Sequence, residues 1–286
     1  MRWGILGLGI AGKARAQAIR DDPRATLVCG FGGDLAGAGL VAAPSATALL
    51  DQVDAVAICS PDTTHPAYVR AALAAGRHVL CEYPLTATED DALALFAEAR
   101  RLNLTLHVAH IEVMTPMARW LRGRCAGRSL RGGALRWRSR PRTATWSLAH
   151  ANLARLHRLV DLFGAPAAVT VMQNEPQHLA AELQIGRNAL VELELLAQEG
   201  ARRHLDLMLD LSDGSVLISG EHLFDRGAPV SLPPARDLFL ADQLLASAIL
   251  LDGAPPLVTP GREAALLRLA CKLCPFEDPP VLGLPG

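Results

Sequence analysis

Two groups of residues have the types and spacing for chemistry. Gly7, Gly9 and Gly12 follow the apolar run Trp3 to Leu6 at once and open a helical pattern, which is the setting in which a glycine loop cradles a pyrophosphate. The first glycine permits a tight turn and the second lets backbone come close to the phosphates. The helix start then supplies N–H donors and the positive end of a dipole. Gly7, Gly9, Ile10, Ala11 and Gly12 are therefore assigned to a dinucleotide, NADPH or NADH. Asp34, just past the second apolar run, is placed to bind the adenosine ribose hydroxyls and to repel a 2′-phosphate, which points toward NADH; helix capping is the plainer role for it. The second group is Arg155 and Arg158, three apart on one face of the helical pattern 149–163. Two guanidinium groups so placed reach the same anion and bind carboxylates with forked geometry. Ordinary salt bridges, for instance with Asp161, are the plainer use for them.

The elements that must position these groups follow from periodicity. Short apolar runs at 3–6, 26–31, 55–59, 78–82 and 105–108 alternate with helical patterns at 13–20, 46–50, 65–75 and 89–102, the rhythm of a doubly wound parallel sheet. After residue 111 the rhythm changes to successive strands at 130–138, 169–173, 179–185, 189–196, 204–211 and 215–219, with turn residues at 186–188 and 212–214. The prediction is an α/β chain: an N-terminal Rossmann domain over 1–112 and a C-terminal α+β domain over 113–286 with a large, mostly antiparallel sheet. Helical patterns at 149–163, 237–251 and 262–273 are expected to cover that sheet. The Pro- and Gly-rich tail after Cys274 is expected to be an irregular strap or a frayed end.

Composition narrows the function classes. The 286 residues carry 28 basic and 29 acidic side chains, a formal charge of -1, which disfavours nucleic acid as a partner. Nine arginines between Arg119 and Arg142 form a local basic stretch able to hold a small anion or to serve as a solvated face. Apolar runs are too short and too often interrupted for a membrane span, and the first strand begins too early for a signal sequence. A soluble cytoplasmic protein with reduced thiols at its six cysteines is expected. Cys271 and Cys274 have metal-like spacing without a second pair or a nearby histidine, so no metal is assigned.

The stretch Ile58-Cys59-Ser60-Pro61-Asp62-Thr63-Thr64-His65, with Ala74-Ala75-Gly76-Arg77-His78-Val79-Leu80-Cys81-Glu82-Tyr83-Pro84, resembles the Gfo/Idh/MocA oxidoreductase family. The resemblance implies cofactor contacts at Ser60, Pro61, His65, Glu82 and Tyr83. Sugar-oxidising members carry lysine where this chain has Tyr83, and an aspartate and a histidine where alignment through Asp161-Leu162-Phe163-Gly164 puts Ala154 and Arg158. Oxidising an alcohol needs a base titrating near working pH, and neither a phenol nor a guanidinium supplies one without a large shift. Glu82-Tyr83-Pro84, His107-Val108-Ala109-His110-Ile111-Glu112, Asp237-Leu238-Phe239-Leu240-Ala241-Asp242-Gln243 and the helix from Leu153 to Gly164 are instead similar to the biliverdin reductases of that family, in their cyanobacterial form. That likeness implies a small-molecule substrate, a linear tetrapyrrole, with Arg155, Tyr83 and Glu112 catalytic and Arg155 and Arg158 holding substrate. Two other readings stay open: an oxidoreductase of the family acting on another small substrate, and a catalytically silent dinucleotide-sensing regulator. Monomer and homodimer are equally compatible with it.

Overall fold

The computed structural model describes residues 1–142 and 145–275, and the chain divides into two compact units. Met1–Ile111 and Arg236–Ala264 belong to the first, Glu112–Ala235 and residues 265–275 to the second. The tail beyond residue 275, where the strap was expected, lies outside the described residues.

The first unit begins β1 (Arg2–Leu8), α1 (Ile10–Asp21), β2 (Thr26–Gly33), α2 (Ala46–Leu50), β3 (Ala55–Ile58), α3 (His65–Ala74), β4 (His78–Glu82), α4 (Glu89–Arg101) and β5 (Leu106–Ala109). Its five strands lie in the order β2-β1-β3-β4-β5, all parallel. Each expected strand and helix of this half is present, because strands buried on both faces are apolar throughout: β3 has all four residues buried. Strand order reverses at β1, whose neighbours are β2 and β3, and in open parallel sheets the crevice at such a reversal is where ligands bind.

The second unit runs α5 (Pro116–Cys125), β6 (Leu130–Ser139), α6 (Leu148–Ala151), α7 (Leu153–Phe163), β7 (Ala168–Glu175), β8 (His178–Ile185), β9 (Ala189–Ala197), β10 (His204–Leu211), β11 (Gly214–Ser219), β12 (His222–Asp225) and β13 (Ala228–Pro229). The eight-stranded sheet has the order β13-β12-β11-β10-β6-β9-β8-β7, antiparallel except where β6 pairs with β9. One buried row crosses six of its strands: Ala181, Leu193, Leu135, Leu207, Ile218 and Leu223 stand opposite one another in turn. The pattern expected as one helix over 149–163 is two, α6 and α7, meeting at Asn152, whose side-chain amide donates to the Leu148 carbonyl at 2.9 Å. Helix α6 packs on β8 and β9, and α7 packs on α5 and α6. The short strands β12 and β13 and the helix α5 escaped the sequence reading.

The chain then forms α8 (Leu238–Asp252) and α9 (Pro260–Leu273). Helix α8 corrects an expectation: it packs against α1 in the first unit instead of covering the second sheet. Its buried residues are Asp242, Gln243, Ala246 and Ser247, while Leu244 and Leu251 stay exposed. A helix apolar nearly all round has no face that leucine spacing can single out, and here the inward stripe is the polar one. Ser247 and Gln243 donate to the buried carboxylate of Asp22, just past the end of α1.

Candidate active site

In the first unit the candidate cofactor residues gather at the carboxyl ends of β1 to β4. Gly7 has φ +90°, and a Cβ there would lie 2.6 Å from the Ser60 backbone; a Cβ on Gly12 would lie 2.0 Å from the Gly7 carbonyl oxygen. A Cβ on Gly9 meets nothing within 4 Å. The loop is thus closed tightly on its protein side and open at Gly9. Gly9 also caps α1 without any side-chain acceptor for the first-turn N–H groups, so those donors point to open space beside Ile10, which is 94% exposed. Tight closure, open donors and a dipole end are what a pyrophosphate requires, so Gly7, Gly9, Ile10, Ala11 and Gly12 fit the dinucleotide.

Asp34 follows β2. Its Oδ2 lies 2.7 Å from Lys13 Nζ, and Oδ1 accepts from Gly37 N at 2.9 Å. Lys13, and then the Gly37 amide, hold the carboxyl below its ordinary range. Lys13 sits one residue past the glycine loop and was not singled out from the sequence. After β3, Ser60 Oγ shares a 2.7 Å hydrogen bond with Thr64 Oγ1, and Pro61 precedes the tight turn Asp62–Thr64. His65 has no exposed surface with which to meet a ligand. Its ring nitrogens lie 2.8 Å from the Pro84 carbonyl oxygen and 2.9 Å from that of Ser60, so the ring ties the Ser60 loop to the Tyr83-Pro84 turn.

Glu82 ends β4, and its Oε1 accepts from the buried Arg15 at 2.9 Å. Tyr83 is half-buried, and its ring stacks on His110 with centroids 5.3 Å apart and planes 11° from parallel. Behind it, His110 Nε2 pairs with Glu263, which is sealed from solvent, and His107 Nε2 lies 2.8 Å from Asp242. Both histidines are therefore satisfied in the interior.

In the second unit Glu112, Arg155 and Arg158 come together. One oxygen, Glu112 Oε1, accepts from Arg155 Nη1 at 2.7 Å and from Arg158 Nη2 at 2.9 Å. Three-residue spacing on α7 brings both guanidinium groups to one carboxylate, whereas Asp161 pairs with Arg122 at 2.7 Å. Arg155 also lies over the Trp137 ring of β6, 4.3 Å from its centroid, a cation–π contact. Nothing in the sequence marked Trp137 beyond its place among the arginines. Burial pulls Arg158 down to about 10 against the upward pull of Glu112, with Arg155 adding a like charge. At neutral pH it stays a cation. Its buried Nη1 makes no hydrogen bond among the described residues, while Arg155 keeps 17% of its side chain exposed. Two cations thus share one anion, and Arg155 is the one that reaches the surface. Ala154, where sugar-oxidising members have aspartate, is buried beside them and brings no proton-handling group.

Among the described residues no group of three or more His, Cys, Asp or Glu side chains is arranged to hold a metal ion, and no helix is long and apolar enough to cross a membrane. The thiols of Cys29, Cys59, Cys81, Cys125 and Cys274 are free.

Residues 1–110 match the Gfo/Idh/MocA family, described as an oxidoreductase family with an NAD-binding Rossmann fold. The chain is 26% identical over 226 residues to biliverdin reductase A of Mus musculus, covering 74% of this chain and 76% of the relative. It is 36% identical over 129 residues to the UDP-N-acetylglucosamine 3-dehydrogenase of Acidithiobacillus ferrooxidans, covering 43% and 41%. Among solved structures, biliverdin reductase from Synechocystis in complex with biliverdin and NADP+ superposes with a TM-score of 0.83 at 26% identity, covering 96% of this chain and 97% of that one. The chain therefore carries the NAD-binding Rossmann domain of the Gfo/Idh/MocA oxidoreductases and is an NAD(P)-dependent oxidoreductase.

Proposed function

We propose that the chain is an NAD(P)H-dependent reductase of a linear tetrapyrrole, converting biliverdin to bilirubin. The observation that carries this reading is the arginine pair: where an alcohol dehydrogenase of this family needs a base, α7 presents two guanidinium groups sharing one carboxylate oxygen. Such a site favours an acidic substrate, and neither guanidinium is a base that titrates near working pH. The likeness to a biliverdin-bound enzyme over nearly the whole of both chains supports the same substrate class.

Biliverdin is a flat conjugated tetrapyrrole with two propionates. Its reduction adds a hydride to the central methine carbon and a proton to a pyrrole nitrogen. Bound NADH or NADPH supplies the hydride. The protein's share is orientation and charge, which can lower a barrier substantially when reactants are held in register. Arg155, fixed by Glu112 on one side and Trp137 on the other, binds a propionate and orders the water that gives the proton, since a guanidinium releases its own proton reluctantly. Glu112 acts through the arginines that occupy its oxygen, and the buried Arg158 holds Glu112 in place while adding charge. Tyr83 forms an aromatic wall of the cofactor site in the first unit, its phenol a hydrogen-bonding group there.

The test is direct: purified protein is incubated with biliverdin and either NADH or NADPH, and loss of the green absorbance is followed against gain of the yellow. Conversion with at least one cofactor is expected. No conversion with either overturns the pigment assignment and leaves the dinucleotide site standing.

A further inference from the structure

Beneath the cofactor loops of the first unit lies a cluster of charged side chains that the proposed chemistry does not use. Arg15, on α1, has no exposed surface. Its Nη2 donates to Glu82 Oε1 at 2.9 Å, its Nη1 lies 2.9 Å from Asp242 Oδ2 on α8, and its guanidinium stacks 5.1 Å from the Phe239 ring. The other Asp242 oxygen is 2.8 Å from His107 Nε2 at β5. Burial alone would lower the Arg15 pKa, but Asp242 and Glu82 raise it; burial alone would raise that of Asp242, but Arg15 and His107 lower it. Both remain ionised. Side chains of Arg15 and Asp242 are 0% and 2% exposed, whereas Glu82 keeps 13%. Glu82 is thus the member through which this buried cluster reaches the surface, next to Tyr83 and at the carboxyl end of β4.

Buried ion pairs contribute little net stability compared with apolar residues of the same volume, so stability is a weak reason to seal an arginine between two carboxylates here. A better reason is placement. Helix α1 begins at the glycine loop and carries Arg15 on its second turn, so the helix that presents N–H donors to the pyrophosphate also grips Glu82. We propose that Arg15, braced by Asp242, is a positioning residue that fixes the Glu82 carboxylate for contact with the bound dinucleotide. The inference rests on the cofactor site alone and is independent of which substrate is reduced.

The experiment is a double-mutant cycle read by equilibrium binding of NADH and NADPH, followed through protein fluorescence, with circular dichroism and thermal melts to establish the folded fraction. Arg15→Met and Glu82→Gln are each expected to weaken dinucleotide binding about tenfold, roughly 1.4 kcal/mol, and the double variant to be no weaker than either single one. Arg15→Lys, which keeps the charge, is expected to restore part of the loss. Asp242→Asn preserves volume and should weaken binding in the same direction, which keeps the test informative if Arg15→Met does not fold. Additive losses, or a lowered melting temperature with unchanged affinity in the folded Arg15→Met or Asp242→Asn protein, would show a purely structural role and overturn the proposal. So would unchanged affinity in Glu82→Gln. None of these outcomes depends on turnover of biliverdin, so failure here is distinct from failure of the pigment assay.

Discussion

At the scale of single residues, charge placement separates the two candidate sites. Arg155 is held by a charged hydrogen bond and an aromatic face, and it keeps part of its surface open. Truncation to alanine removes charged hydrogen bonds worth about 1.5–3 kcal/mol each, so kcat/KM for biliverdin should fall by about a hundredfold or more while the dissociation constants for NADH and NADPH stay unchanged. Unaltered kinetics would remove Arg155 from the mechanism. The adenosine end offers a second prediction. Set against the adenosine ribose, Asp34 would repel a 2′-phosphate, and Lys13, 2.7 Å away, would offset that charge. Asp34→Ser should raise KM for NADH and lower it for NADPH several-fold, and Lys13→Ala should do the reverse for NADPH; equal KM values before and after would mean that neither side chain meets the ribose. Of this pair the sequence shows Asp34, because its position after the second strand is fixed by the fold. Lys13 is invisible there, since only the backbone path reveals what a long side chain reaches.

At the scale of elements, alternation and burial made the strands legible, while polar inward faces did not. Leu205, Leu207, Leu209 and Leu211 alternate along β10 and are all buried, as a period of two requires. Leu207 lies between Leu135 and Ile218 in the row that crosses the sheet. Leu207→Ala should cost about 2–5 kcal/mol, read as a lower denaturant midpoint, because neighbours on two strands cannot collapse into the space. Its neighbour Met208, 45% exposed on the opposite face, should tolerate alanine within about 0.5 kcal/mol. Similar losses at both positions would mean that the row is not the core of the sheet. Helix α8 shows why other elements escaped: its buried stripe of Asp242, Gln243, Ala246 and Ser247 is recognisable only once Arg15 and Asp22 are known to wait for it. The break at Asn152 is of the same kind, a local hydrogen bond inside an otherwise continuous helical pattern.

At the scale of the molecule, each unit is fastened by ion pairs between residues far apart in sequence, and these make stability depend on acid. In the first unit Arg2 holds Asp54 down to about 2; in the second Arg128 and Arg124 hold Asp213 down to about 2. Arg124 joins α5 to Asp213 and Asp225, 89 and 101 residues away, a link that no local pattern announces. A carboxyl whose folded pKa lies below its unfolded value binds protons more readily when unfolded, so its contribution is present above about pH 4 and is lost as pH falls toward 2. Asp213→Asn abolishes that titration in the second unit. The variant should be less stable than the parent at pH 7, and the gap in denaturant midpoint should narrow steadily between pH 4 and pH 2. High salt should shrink the gap as well, because Asp213 is partly exposed and its attraction to the arginines is screened. A gap that stays constant across that range would mean that Asp213 stabilises the unit by packing or hydrogen bonding alone, with its charge immaterial.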